Sequence, residues 1–326
     1  MQIILAPMEG VIDQHMREAL TAVGGYTQCA TEFIRVVDYL LPDKVFYRLC
    51  PELHAQGKTK SGTPVIVQLL GANPEMMAAN AVRAVELGAP SIDLNFGCPA
   101  KCVTKKNGGA YLLRQPQAIH QIVKSVRTAV RDDISVSAKI RLGFDDTNLA
   151  LENALAVQSA GANYITVHAR TKKDAYRHPA RWEWLAKIRE VLTIPIVANG
   201  DINSVEDYRR CKQISGCEHY MIGRGAVSRP DLARQIRQYQ QGTDIDALTW
   251  PEIQALVLDL SKSMQTNVKH RYVSGRIKQW LAMLKKEYHE AQHCFEQIRR
   301  LSTPQEIEEE LGKRLKVKGS RLKIKD

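Results

Sequence analysis

Cys98 is the residue of this chain whose surroundings most plainly suggest chemistry. It lies in Leu94-Asn95-Phe96-Gly97-Cys98-Pro99-Ala100-Lys101, just past a short run, 91–94, that reads as a buried strand. Gly97 frees the backbone and Pro99 restricts it, so the thiol is expected at a fixed place beyond a strand end. A thiol near its ordinary pKa of about 8.5 is mostly protonated at neutral pH and can donate a proton. Packing as a small apolar side chain is the other use of a free cysteine. Polar residues also stand at the ends of other apolar runs: Gln68, Asn95, Lys139, His168 and Asn199. Gly200 follows one such run and Gly223-Arg224-Gly225 another. Glycine lets backbone N–H groups approach phosphate oxygens, and an arginine adds a charge-assisted bond. Tight turns are the plainer use of the same glycines.

Something must bring these residues together. Apolar runs at 3–6, 28–31, 65–69, 91–94, 136–140, 164–168, 194–198 and 219–222 alternate with amphipathic stretches such as 75–87, 116–130, 149–160 and 183–192. Strand then helix, eight times over, predicts an α/β protein of the (β/α)8 TIM-barrel class. The C-terminal ends of its strands converge on one site, which is where the polar residues fall. Past Gly242-Thr243-Asp244 the strand pattern stops, and 251–267, 272–286, 291–301 and 304–311 read as helices. Ser302-Thr303-Pro304-Gln305-Glu306 carries the signals of a helix start. The expected organisation is a catalytic barrel over 1–243, a small all-α domain over 244–312 and a basic tail over 313–326.

Composition narrows the partners. The net charge is +11 and the pI about 9.3, which suggests a polyanion. From Lys262 to Lys286 there are seven Lys or Arg and no acid, and from Lys313 onward seven more against Asp326 alone. A solvated helix face and a basic tail would look the same. Two such runs in one region favour RNA, whose phosphates supply sequence-independent affinity. No apolar stretch is long enough to span a membrane, and the N-terminus reads as a first strand and not a signal peptide. The seven cysteines are an odd number without zinc spacing, so free thiols in a reducing cytoplasm are expected, and no metal site.

The run Asp93-Leu94-Asn95-Phe96-Gly97-Cys98-Pro99-Ala100-Lys101 with Gly108-Gly109-Ala110 resembles the tRNA-dihydrouridine synthases, flavin enzymes that reduce a uracil ring in tRNA. Further blocks match in order: Leu5-Ala6-Pro7-Met8-Glu9-Gly10, Thr31-Glu32-Phe33, Lys139-Ile140-Arg141-Leu142-Gly143, Val167-His168-Ala169-Arg170-Thr171, Ala198-Asn199-Gly200-Asp201-Ile202 and Met221-Ile222-Gly223-Arg224-Gly225. Gly275-Arg276-Ile277-Lys278-Gln279-Trp280-Leu281 is most similar to the subfamily C type, which modifies position 16 in the D-loop. Phe96 stands where the family varies.

The resemblance implies bound FMN, reduced by NADPH or NADH. No G-x-G-x-x-G opens a helix after a strand, which fits a donor that visits and leaves. Pro7 and Met8 would lie beneath the flavin ring, with Gln68, Lys139 and His168 as its polar contacts, and Glu9, Asn199 and Asp201 would also bind the cofactor. Gly200, Gly223 and Arg224 would serve its phosphate end. Hydride would pass to C6 of the uracil and a proton from Cys98 to C5. Asn95 would orient the base, while Arg141 and Arg170 would stabilise charge on its carbonyls. Phosphate binding and surface ion pairs are other uses of such arginines. Tyr176 would contact the flipped base, and Arg35, Arg276 and Lys278 would hold tRNA. No protein partner is expected, and the chain is expected to be a monomer. Lys139 could also pair with Glu9 or Asp93 in a barrel core, or form a Schiff base. A flavin barrel acting on a free pyrimidine and a noncatalytic RNA-binding barrel are the other functions open to such a chain.

Overall fold

Eight parallel strands close on themselves in the computed structural model, which describes residues 1–177, 179–266 and 268–313. They are β1 (Ile3–Leu5), β2 (Gln28–Ala30), β3 (Val65–Leu70), β4 (Ser91–Asn95), β5 (Ser135–Arg141), β6 (Tyr164–His168), β7 (Ile196–Asn199) and β8 (His219–Ile222). Each pairs with the next, and β8 returns to β1 through Tyr220 opposite Ile3 and Ile222 opposite Leu5. All eight expected strands are present, and the fold is the expected TIM barrel. A short strand missed in the sequence, Ile34–Arg35, pairs with the end of β3. β7 starts two residues later than expected. Pro195 lacks an N–H and stays outside the strand, although its carbonyl still accepts from Ile165 N at 3.0 Å.

The strands are not uniformly apolar. Side chains two apart on a strand share a face. One parity carries Gln68; Ser91, Asp93 and Asn95; Ser137, Lys139 and Arg141; Thr166 and His168; and Asn199. The other carries Val65, Val67 and Leu69; Ile92 and Leu94; Val136, Ala138 and Ile140; Ile165 and Val167. Lys139 of β5 reaches Asn199 of β7 at 3.1 Å, past the intervening β6, so the polar parity faces the barrel interior. The apolar parity is buried against the surrounding helices, among them Pro74–Glu86, Pro116–Ala129, Ala150–Ser159 and Trp182–Val191. Arg17 and Glu52 form a fully buried pair at 2.7 Å.

The chain divides into two compact units: Met1–Arg17 with Tyr26–Gly223, which holds every strand among the described residues, and Glu18–Gly25 with the chain from Arg224 onward. The second unit is helical and includes Leu232–Gln241, Trp250–Gln265, His270–Leu284, His289–Ile298 and Pro304–Gly312. Thr303 with Glu306 makes a capping box at the helix start read from the sequence. Within this unit Trp280 is buried and donates from Nε1 to the Val227 carbonyl at 3.0 Å. The 314–326 part of the basic tail lies outside the described residues. Among those described, no helix is long and apolar enough to cross a membrane.

Candidate active site

The C-terminal ends of β3, β4 and β5 carry a continuous set of hydrogen bonds. Gln68 donates from Nε2 to Asp93 at 2.7 Å and accepts at Oε1 from Asn95 Nδ2 at 2.8 Å. Ser137 donates to the other Asp93 oxygen at 2.7 Å. Asn95 Oδ1 accepts from the backbone N–H groups of Gly97 and Cys98, both at 2.9 Å. The Cys98 carbonyl accepts from Ala110 N at 3.0 Å. Asn95 therefore ties the cysteine loop to the barrel interior, a positioning role added to the substrate contact the family resemblance implies.

Cys98 is partly exposed, and burial pushes its thiol above the ordinary value, with Glu9 and Cys102 acting in the same sense. The backbone N–H of Ala100 and the nearby Arg141 oppose that shift without overcoming it. The protonated thiol is the form present at neutral pH, as a proton donor requires. All seven cysteines are free.

Lys139 sits in the barrel mouth with Asn199 Oδ1 at 3.1 Å; that amide is held by its own bond from Nδ2 to the Met221 carbonyl at 2.8 Å. Burial, helped by Arg141, lowers the lysine to about 8, while Asp93 pulls the other way. Asp93 is itself raised by burial. A Lys139–Asp93 interaction is thus present, but the ammonium's hydrogen-bond partner is a neutral amide, and its charge is incompletely offset. Arg141 is buried, donating to the Gly97 carbonyl at 2.8 Å, with its guanidinium 5.7 Å from the Tyr176 ring centre. Tyr176 is 55% exposed, and its ring centre lies 6.1 Å from that of His168.

The loop after β7 is shaped by backbone that other residues avoid. Gly200 has φ +121°, and a Cβ there would stand 3.0 Å from His168 Cδ2 and 3.1 Å from Ala180 Cβ. Asp201 follows at φ +53° without being glycine. Its carboxylate accepts from Ala180 N at 2.9 Å and pairs with the buried Arg170. Arg170, expected to face substrate carbonyls, has this internal partner and also approaches His168 Nε2 at 3.4 Å. Successive residues with positive φ need support from their surroundings, and such backbone collects at functional sites.

The remaining expected residues have plainer places. Pro7 and Met8 follow β1 half-buried, Glu9 is exposed, and Met8 Sδ lies 3.4 Å from where a Gly223 Cβ would stand. Arg35 donates to the Cys102 carbonyl at 3.1 Å. In the second unit Arg224 opens the helix Arg224–Ser228, Arg276 bonds Gln279, and Lys278 donates to the Leu301 carbonyl at 2.6 Å. Thr31, missed in the sequence as a site-supporting residue, accepts from Gln68 N at 3.0 Å; Ser137 was missed too, and Asp93 was read only as a partner for Lys139. The polar strand parity was the signal that could have found Asp93 and Ser137.

A thiol fixed at the mouth of a parallel barrel, with a lysine, two arginines and oriented amides around it, defines a barrel enzyme of the kind that works at its strands' C-terminal ends. The family model described as "Dihydrouridine synthase (Dus)" matches residues 4–318, and the chain belongs to that family. It is 51% identical over 300 residues to the tRNA-dihydrouridine(16) synthase of Pseudomonas syringae pv. tomato, covering 92% of this chain and 95% of that one. It is 47% identical over 320 residues to the protein of the same name in Haemophilus influenzae, covering 96% and 100%. Among solved structures, a 2-naphthoyl-CoA reductase complex superposes with a TM-score of 0.57 at 12% identity, over 77% of this chain and 51% of that one. The histamine dehydrogenase of Rhizobium sp. 4-9 superposes at 0.56 and 13%, over 82% and 49%. This chain spans about half of those two longer proteins, and the likeness concerns the barrel fold.

Proposed function

We propose that this chain reduces one uridine of tRNA, at position 16 in the D-loop, to 5,6-dihydrouridine, with FMN bound in the barrel mouth and NADPH or NADH as electron donor. Family membership and the names of relatives matched over nearly their whole length support the substrate. The observation that carries the reaction is the Cys98 thiol, kept protonated by burial on a loop anchored through Asn95 to the barrel.

The residues present fit a flavin. Lys139, half-buried in the barrel mouth with an incompletely offset charge, suits a ring edge that becomes negative on reduction. Gln68, fully buried with its amide bonded to Asp93 and Asn95, supports the site from beneath, and Gly200 and Gly223 leave the backbone ends of β7 and β8 without side chains, as a phosphate contact needs. Bound FMN would supply the hydride for C6 of the uracil. Cys98 holds the proton for C5. Arg141 stabilises charge on a uracil carbonyl, and its guanidinium is fixed by the Gly97 carbonyl of the cysteine loop itself. Tyr176, exposed beside Arg141, offers an aromatic face to a base that has left its stack. The enzyme would act as a monomer in the cytoplasm.

The test is incubation of purified protein with unmodified tRNA and NADPH, or NADH in a parallel arm, followed by mapping of dihydrouridine. Dihydrouridine at position 16 is the expected result. Reduction of free uridine but not tRNA would favour the small-pyrimidine reading. Absence of both, with tRNA still bound, would favour a noncatalytic RNA binder.

A further inference from the structure

The loops after β4, β5 and β6 meet in a cation–aromatic cluster outside the site described above. The Arg114 guanidinium carbon lies 4.0 Å from the Phe144 ring centre and 5.6 Å from that of Tyr111. Lys172 Nζ lies 4.6 Å from the same Phe144 centre. Arg114 also pairs with Asp145 at 2.5 Å, yet its side chain remains 46% exposed. Lys172 N and Lys173 N bond the Gly143 and Phe144 carbonyls, both at 2.9 Å, so the loops after β5 and β6 are fastened together.

We propose that Arg114, held over Phe144 beside Lys172, is a tRNA-positioning platform that receives the unpaired nucleotides flanking the base delivered to Cys98. The proposal rests on the tRNA-reduction reading and adds residues that neither the sequence nor the comparisons assign.

Three observations carry it. The first is preorganisation: an ion pair and two aromatic rings hold a surface arginine that would otherwise spend its freedom in water. A guanidinium held 4.0 Å over a ring centre is a planar group kept in place, and nucleic-acid bases stack on such planes. The second is charge. Arg181 is paired with Asp174 and Arg170 with Asp201. Lys101, Lys105, Lys106, Lys172 and Lys173 make no ion pair among the described residues, and all but Lys172 are exposed. The rim over β4 to β6 is therefore a positive surface suited to phosphates. The third is continuity with the chemistry. Arg114 ends the same loop that carries Cys98, and the bond from Ala110 N to the Cys98 carbonyl at 3.0 Å joins its two halves. On this proposal the neighbours of the uracil brought to Cys98 lie across this rim.

The experiment titrates unmodified tRNA into the purified full-length protein and its variants by fluorescence anisotropy at several salt concentrations, with a thermal melt of each variant. R114Q/K172Q should bind tRNA about tenfold or more weakly, and its salt dependence should be shallower by roughly 0.7–0.9 for each phosphate that is no longer neutralised. R114K keeps the charge and loses the planar group. It should keep the wild-type salt slope while binding several-fold more weakly. Should R114Q/K172Q fail to fold, K172Q alone must still flatten the slope, because its side chain makes no ion pair among the described residues. Wild-type affinity and slope in the folded variants would overturn the platform. If wild-type protein itself does not bind tRNA in the same titration, it is the tRNA reading that fails.

Discussion

Replacing Asn95 with alanine separates a residue that touches substrate from one that positions the acid. Asn95 Oδ1 accepts two backbone hydrogen bonds from the cysteine loop, from Gly97 N and Cys98 N, each at 2.9 Å. At about 1 kcal/mol net for each, Asn95→Ala removes roughly 2 kcal/mol that holds the loop, a factor of about 30 in the equilibrium between held and released forms. Cys98→Ala removes the acid itself and should slow reduction by about 10²–10⁴-fold. The assay is single-turnover conversion of unmodified tRNA by enzyme whose flavin has been reduced beforehand, so that the hydride donor is constant. If Asn95 acts by placing the thiol, the double mutant is no slower than Cys98→Ala, because nothing remains to be placed. If Asn95 acts on the uracil independently, the two losses multiply and the double mutant is slower by a further ~30-fold. Multiplicative loss would refute the positioning role.

The alkaline side of the rate profile should belong to Lys139 and not to Cys98. The lysine, lowered to about 8, loses its proton as pH rises through that value, while the raised thiol keeps its proton beyond the ordinary thiol range, so a limb near 8 that survives Lys139→Arg would contradict the assignment. Gly200→Ala should weaken flavin retention about tenfold or more, since a Cβ at φ +121° meets His168 at 3.0 Å; unchanged absorbance at the flavin band after dialysis would mean that the loop tolerates the change. Neutralising the exposed Lys269 and Arg271 should lower tRNA affinity and flatten its salt dependence. Lys278→Gln should instead lower the melting temperature, because its ammonium is bonded to the Leu301 carbonyl, and an unchanged melt would sink that distinction.

The barrel was legible because burial on the outer strand face leaves little choice of residue. Val65, Val67 and Leu69, or Ile165 and Val167, announce strands whatever faces the interior. The cysteine loop was legible because glycine and proline around one thiol constrain the backbone locally. Arg170 and Lys278 were not legible in the same way. A cation in a sequence has no visible partner, and Asp201 and the Leu301 carbonyl, which meet these two, lie far along the chain. The same holds for Arg114 and Phe144, which belong to different loops and form a unit only when β4 and β5 stand side by side. The short strand Ile34–Arg35 escaped because two residues give no periodicity to read.

The polar strand face explains why a single thiol needs three strands to place it. An amide side chain has one donating and one accepting end, so its orientation is decided by what it meets. The Gly97 and Cys98 N–H groups only donate, so Asn95 must turn Oδ1 to them and Nδ2 to Gln68. Gln68 must then present Oε1 to Asn95 and its own Nε2 to the next strand-borne group, which has to accept. Asp93 supplies that oxygen, and its second oxygen is taken by the Ser137 hydroxyl. Every member determines the next, and a donor-only side chain at position 93 would leave Gln68 frustrated in either orientation. Buried polar groups are costly unless all are satisfied, and then they fix one arrangement against its alternatives. The position of Cys98 is on this account a property of β3, β4 and β5 together. Gly97 and Pro99 limit the conformations open to the loop, and the amides inside the barrel choose among them.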